Sequence, residues 1–223
     1  MRLLYLISSQ SLTHGATENA VVVQQVLDDL IERGLDPQQR MLIVLDGSKA
    51  LRKAVQKTFG DRCPVQRCQV HKRRNVKEQR PPEYQRSVDQ RIRTAYAMRD
   101  YDQAKAQLLK TVKGLEELNP SAAASLREGL EETLTLHRLR IPEQLRTSFR
   151  STNLIESALS MAREVTGRVK QWRRGDMRLR GSASALLAAE KRFRRVRGHK
   201  SMRRLLAALD GQDGQVAPSS EAA

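Results

Sequence analysis

Met41–Val55 reads MLIVLDGSKALRKAV. Five apolar residues in a row, Met41–Leu45, run into Asp46 and Gly47. That is the pattern of a strand buried on both faces that ends in a turn. Ser48 stands where a helix N-cap belongs, and KALRKAVQKTF after it sets Leu51, Val55 and Thr58 on one side of a helix. Strand, turn and amphipathic helix in this order make a β-α unit.

The neighbouring segments extend the alternation. Leu3–Ile7 reads as a short buried strand, broken by HGATEN. Thr17 can cap ENAVVVQQVLDDLIERG, whose apolar positions 22, 23, 26, 27, 30 and 31 form a helical stripe closed by Gly34. CPVQRCQV, 63–70, alternates as a strand does. A helix from His71 is stopped by Pro81 and Pro82. The order β-α-β-α-β-α predicts an α/β fold with a parallel or mixed sheet.

From Glu83 to about Arg146 the pattern is helical throughout: YQRSVDQRIRTAYAMRD, YDQAKAQLLKTVKGLEEL and PSAAASLREGLEETLTLHRL. We read residues 1–80 as the first part of a core, 81–147 as an all-helical insertion and 148–209 as a return to the core with a basic helical region. Residues 210–223 read as a small, polar, disordered tail.

The chain has 223 residues, with 41 Lys and Arg against 25 Asp and Glu, a net charge of +16 and a pI near 10.6. Such a balance favours a polyanionic partner, nucleic acid above all. Two cysteines do not make a disulfide framework and suit a reducing compartment. No run reaches the length of a membrane span, and the N-terminal apolar stretch is too short for a signal peptide. These features predict a soluble protein of the cytoplasm without a membrane partner.

Asp46 lies at the carboxyl end of a buried strand, the edge where ligands collect in open α/β sheets. It can equally be no more than the first half of an Asp-Gly turn. Glu156 lies beside the apolar stripe Leu154, Ile155, Ala158, Leu159, Ala162 and Val165, three residues after Asn153. That spacing fits a capping box. Cys63, Cys68 and His71 form C-x4-C-x2-H, too few ligands for a closed zinc site. Arg163–Arg204 holds 15 Lys and Arg against Glu164, Asp176 and Glu190, with Trp172 inside it. Leu186, Ala189, Phe193 and Val196 read as the packed face of a helix whose other side carries Lys191, Arg192, Arg194 and Arg195 toward phosphates.

GATENAVVV, LDGSKALRKAV, VQRCQVHKRRNV, STNLIES, VKQWRRGDM and AEKRFRRVRGHK, in that order, resemble the mutator-type insertion-sequence transposases. The likeness runs from about Gly15 to about Leu209. It implies a partial RNase H-like catalytic core interrupted by a helical insertion, and Mg2+-dependent (or Mn2+-dependent) DNA cleavage and joining at two Asp and one Glu. By that resemblance Asp46 is the second Asp and Glu156 the Glu, both metal ligands. Cys68 and His71 match the C-x2-H signature, and Asn153 the Asn of Asn-x-Ile-Glu.

DNA contacts are expected from His71, Lys72, Arg73, Arg74, Asn75, Lys170, Trp172, Arg173, Arg174, Arg192, Arg194 and Arg195. The implied partners are terminal-repeat and target DNA, and a second copy or an intact transposase, in the bacterial nucleoid. The family's first Asp belongs on a strand ahead of GATEN, and the fourteen residues there hold no Asp or Glu. Arg180-Gly181 also replaces the usual Arg-Trp. The expectation is a truncated copy with weakened chemistry, the alternative being a DNA-binding remnant that inhibits the intact enzyme.

Overall fold

The computed structural model describes residues 20–79, 82–169 and 175–211. The expected strand at Leu3–Ile7, the GATEN break and the polar tail from Gln212 onward lie outside the described residues.

α1 (Ala20–Glu32) buries Leu27 and leans Val23, Leu30 and Ile31 on the core. β1 (Ile43–Leu45) follows, then α2 (Lys49–Phe59), capped by Ser48 as its sequence predicts. Leu51, Ala54, Val55 and Phe59 are the buried face of α2. β2 (Val65–Arg67) lies parallel to β1, with Ile43 opposite Val65, Val44 opposite Gln66 and Leu45 opposite Arg67. The chain is therefore mostly helical, built on a small parallel sheet. Among the described residues the sheet has two strands, β1 and β2, and each lies within a segment whose sequence reads as a strand.

β1 shows why its sequence is apolar without interruption. Ile43 and Leu45 enter a core with α1 and α2. Leu42 and Val44 enter a second core with Leu136, Ile141, Leu145, Phe149, Met202 and Leu205. A strand whose alternate side chains meet two different cores has no solvent face.

α3 (Gln69–Glu78) begins two residues earlier than read from the sequence, and Cys68 is its N-cap, with the sulfur accepting from the His71 amide at 3.5 Å. α4 (Pro82–Ala97), α5 (Tyr101–Glu116) and α6 (Pro120–Arg127) then close a third core around Ile92, Leu108, Val112 and Leu126, which Val76 of α3 joins. The third helical pattern is not one helix. It breaks after α6 into α7 (Leu130–Thr133) and α8 (Thr135–Arg138), because Gly129 takes φ +63° and the Arg67 side chain fills the space beside it. α8 lies on β2: Thr135 donates to the Val65 carbonyl at 2.6 Å, and Gln66 accepts from the Leu136 amide at 3.0 Å. The end of the stretch read as insertion thus packs on the sheet.

α9 (Glu143–Phe149) leads to α10 (Asn153–Thr166), which packs on α11 (Gly175–Glu190); Ala158 and Ala162 of the one and Ala185 and Ala189 of the other are buried. The helix of α11 ends at Glu190, short of Phe193, which is 52% exposed rather than on a packed face. α12 (Met202–Leu209) returns to β1 and completes the second core.

Candidate active site

Two consecutive amides at the start of α3 draw the site together. The Cys68 N–H donates to the Leu45 carbonyl at 2.6 Å, one residue before Asp46. The Gln69 N–H donates to the Arg150 carbonyl at 2.9 Å, just ahead of α10. The end of β1 and the start of α10 are therefore tied to one point, although 110 positions separate Asp46 from Glu156.

Asp46 is half-buried and accepts the Ser48 N–H at 2.9 Å, which fixes one carboxylate oxygen in the turn and leaves the other available. Glu156 sits in the first turn of α10. Its Oε1 accepts from the Thr152 hydroxyl at 2.7 Å and lies 3.8 Å from His71 Nε2. On its other side the His71 ring meets Cys68 Sγ at 3.2 Å, and Thr152 Oγ1 lies 3.3 Å from His71 Nδ1. The Cys68 sulfur beside it, with the Glu156 and Asp46 charges, outweighs burial and makes the imidazole more basic than usual. Burial pushes the Cys68 thiol up, but hydrogen bonds with His71 and Thr152 outweigh it and bring the thiol below its ordinary value. His71 thus senses both carboxylates, one from each element.

Asn153 is the first residue of α10 and exposed, and the cap is Thr152. The capping box read for Asn153 and Glu156 does not form, since the cap residue Thr152 makes no side-chain bond to the helix backbone. Thr152 holds Glu156 from the cap position through side chains, while the Glu156 amide donates to the Thr152 carbonyl at 3.0 Å.

The basic residues after His71 divide. Lys72 is 1% exposed, and its ammonium donates to the Ser125 and Glu128 carbonyls at 2.5 and 2.6 Å. A buried ammonium so engaged has no face for a phosphate, so Lys72 departs from its expected role. Burial, and the Arg67 charge beside it, bring Lys72 down to about 8. Arg73 grips Asp89 with two bonds, at 2.8 and 2.7 Å, and holds that carboxyl below the usual range. Arg74 and Asn75 are exposed. Arg194 and Arg195 are exposed in the segment after α11, and Arg192 pairs with Glu164 at 2.8 Å. Lys170, Trp172, Arg173 and Arg174 lie outside the described residues.

Arg67 went unnoticed in the sequence. It is 7% exposed and donates to the Glu128 carbonyl at 3.1 Å and the Gly47 carbonyl at 3.4 Å, with Glu128 Oε2 also at 3.4 Å. Its guanidinium so braces the turn after Asp46. Gly47 has φ +114°, and a Cβ there would lie 2.8 Å from Arg67 Nε. The sequence signals were an arginine inside an apolar strand and two glycines far apart.

With this geometry in view, comparison with known families decides the class. The model of the mutator family of transposases matches residues 10–174, most of the chain. The chain belongs to the mutator family of transposases. It is also similar to the transposase for insertion sequence element ISRM5 of Rhizobium meliloti (strain 1021), 35% identical over 91 residues. That match takes in 41% of this chain and spans 22% of the relative's length. Among the described residues, no helix of this mutator-family chain is long and apolar enough to cross a membrane.

Proposed function

We propose that this chain carries part of a Mg2+- or Mn2+-dependent phosphodiester site for DNA strand cleavage and joining, with Asp46 and Glu156 as metal ligands, on an RNase H-like core. The observation that carries the reading is the double tether of Cys68 and Gln69, which brings the end of β1 and the first turn of α10 onto one helix start. Family membership supports the chemistry.

The donor set suits such an ion in kind. Mg2+ prefers hard oxygens and keeps several waters, so few carboxylates suffice. Asp46 keeps an oxygen free of the turn, and Glu156 is half-exposed. Among the described residues no three His, Cys, Asp or Glu side chains gather into a site, so protein ligands beyond these two are not assigned. When bound, the divalent ion stabilises the attacking and leaving oxygens of an in-line displacement at phosphorus.

The chain's own residues orient the carboxylates. The Ser48 amide aims Asp46, and the Thr152 hydroxyl aims Glu156. His71, hydrogen-bonded to Cys68, stands beside Glu156 as a group able to hold a proton. The exposed cations Arg74, Arg194 and Arg195, with Arg73 and Arg192, supply attraction for DNA. Expected partners are the terminal repeats of the element and a second copy of the chain, within the bacterial nucleoid.

Mn2+ binding by the purified protein, followed by electron paramagnetic resonance, tests the site. Binding lost in both Asp46→Asn and Glu156→Gln, together with loss of Mg2+-dependent nicking of terminal-repeat DNA, is the expected result. Equal Mn2+ binding by wild type and both variants would overturn the assignment.

A further inference from the structure

A groove of about 660 Å3 opens from the turn after Asp46 and runs along α2. Lys49, Lys53 and Lys57 line it at four-residue intervals. Each step advances about 6 Å along the helix axis on one side. The opposite side of α2 is the buried face of Leu51, Ala54, Val55 and Phe59.

The carboxylates on the far wall are already engaged. Glu132 pairs with Arg52 at 2.5 Å, and Glu128 meets Arg67 at 3.4 Å. Glu128 also reaches Lys49, but only at 3.9 Å and with the lysine side chain 90% exposed. Among the described residues no carboxylate pairs with Lys53 or Lys57, and both are exposed. Like charges four apart on a helix repel one another. A row of three therefore costs helix stability with only the distant Lys49–Glu128 contact to offset it, and a polyanion supplies that offset.

We infer that the Lys49–Lys53–Lys57 row is a phosphate track, along which the backbone of one DNA strand runs toward Asp46. This rests on the reading of Asp46 as part of the strand-cleaving site. It adds a contact surface on α2, in a part of the chain distant in sequence from the basic region at 163–204. The track is electrostatic and indifferent to base sequence, since lysine ammonium groups meet phosphate oxygens as point charges.

The test is a salt titration of binding to a short fluorescein-labelled duplex of arbitrary sequence, without divalent ions and in an Asp46→Asn background. Its result is then independent of metal binding and cleavage. The groove variant carries Lys49→Gln, Lys53→Gln and Lys57→Gln, all at exposed positions. The control variant carries Lys77→Gln, Lys110→Gln and Lys113→Gln, exposed on α3 and α5, and has the same net charge. Three lost phosphate contacts should make the slope of log K against log salt shallower by about 2.7 in the groove variant. The control should change it by less than about 1. Equal slopes for the two variants would overturn the track and reduce α2 to a solvated face. Mn2+ binding left equal in wild type, Asp46→Asn and Glu156→Gln, with the slope change intact, would instead count against the metal site alone.

Discussion

Arg67 and Gly129 fill one another's space: the guanidinium and its stem stand where a Cβ on Gly129 would lie, and Gly129 holds φ +63°. The same arginine closes against Gly47, beside Asp46. One buried side chain therefore couples the turn after β1 to the break in the helical region.

Gly129→Ala should cost about 1–3 kcal/mol, since it meets both a strained backbone and an occupied volume. Chemical denaturation measures it. A loss below about 0.5 kcal/mol, the scale of an ordinary surface change, would mean that Arg67 moves aside freely.

Thr152→Val keeps the shape of the side chain and removes the donor to Glu156. Folding stability should fall by only about 1 kcal/mol, the worth of a single hydrogen bond. Strand cleavage should fall about tenfold, as expected for a carboxylate left unaimed by roughly that energy. Thr152→Ser should restore most of the rate, and DNA affinity should not change. Cleavage undiminished in Thr152→Val would remove the hydroxyl from the site.

His137 supplies a pH dependence separate from the site. It is 1% exposed, its Nε2 lies 3.3 Å from the Tyr96 carbonyl, and its Nδ1 has no partner. Burial and the nearby Arg146 charge bring it down to about 4. The unfolded chain therefore binds a proton that the folded chain refuses. Stability is fully present above about pH 6.5 and falls as pH drops toward 4, by about 3 kcal/mol in all. Replacement by Gln should flatten that limb in urea titrations at stepped pH, and an unchanged limb would mean that other groups carry it.

Leu136→Ala should destabilise the whole chain by about 2–5 kcal/mol in a single transition. Leu136 is fully buried and shares its core with Leu42 and Val44 of the β1 segment. A separate early transition, with the β1 region intact, would make residues 81–147 an independent unit.

The β1-α2 unit was legible because its signals are local: an unbroken apolar run, an Asp-Gly pair and a Ser cap. Glu156 was legible only as a cap by periodicity, and the family resemblance alone suggested a ligand. Its true holder, Thr152, lay one residue before the motif that drew attention. Arg67 escaped notice and Lys72 departed from its expected role for a common reason. Charge patterning assigns cations to the surface, whereas these two bond to the carbonyls of Glu128 and Ser125 from far along the chain. The break at Gly129 is of the same kind, because its cause lies 62 positions earlier, in Arg67.

The core behind Leu42 and Val44 is closed by Met202, Leu205 and Leu209. On the ribosome, the strand bearing Asp46 thus emerges long before its covering helix is synthesised. Until α12 arrives, that core has only the buried Leu136, Ile141, Leu145 and Phe149 beside the strand and stays open on one side. The turn that carries Asp46 therefore reaches its final packing only once residues 202–209 have been made.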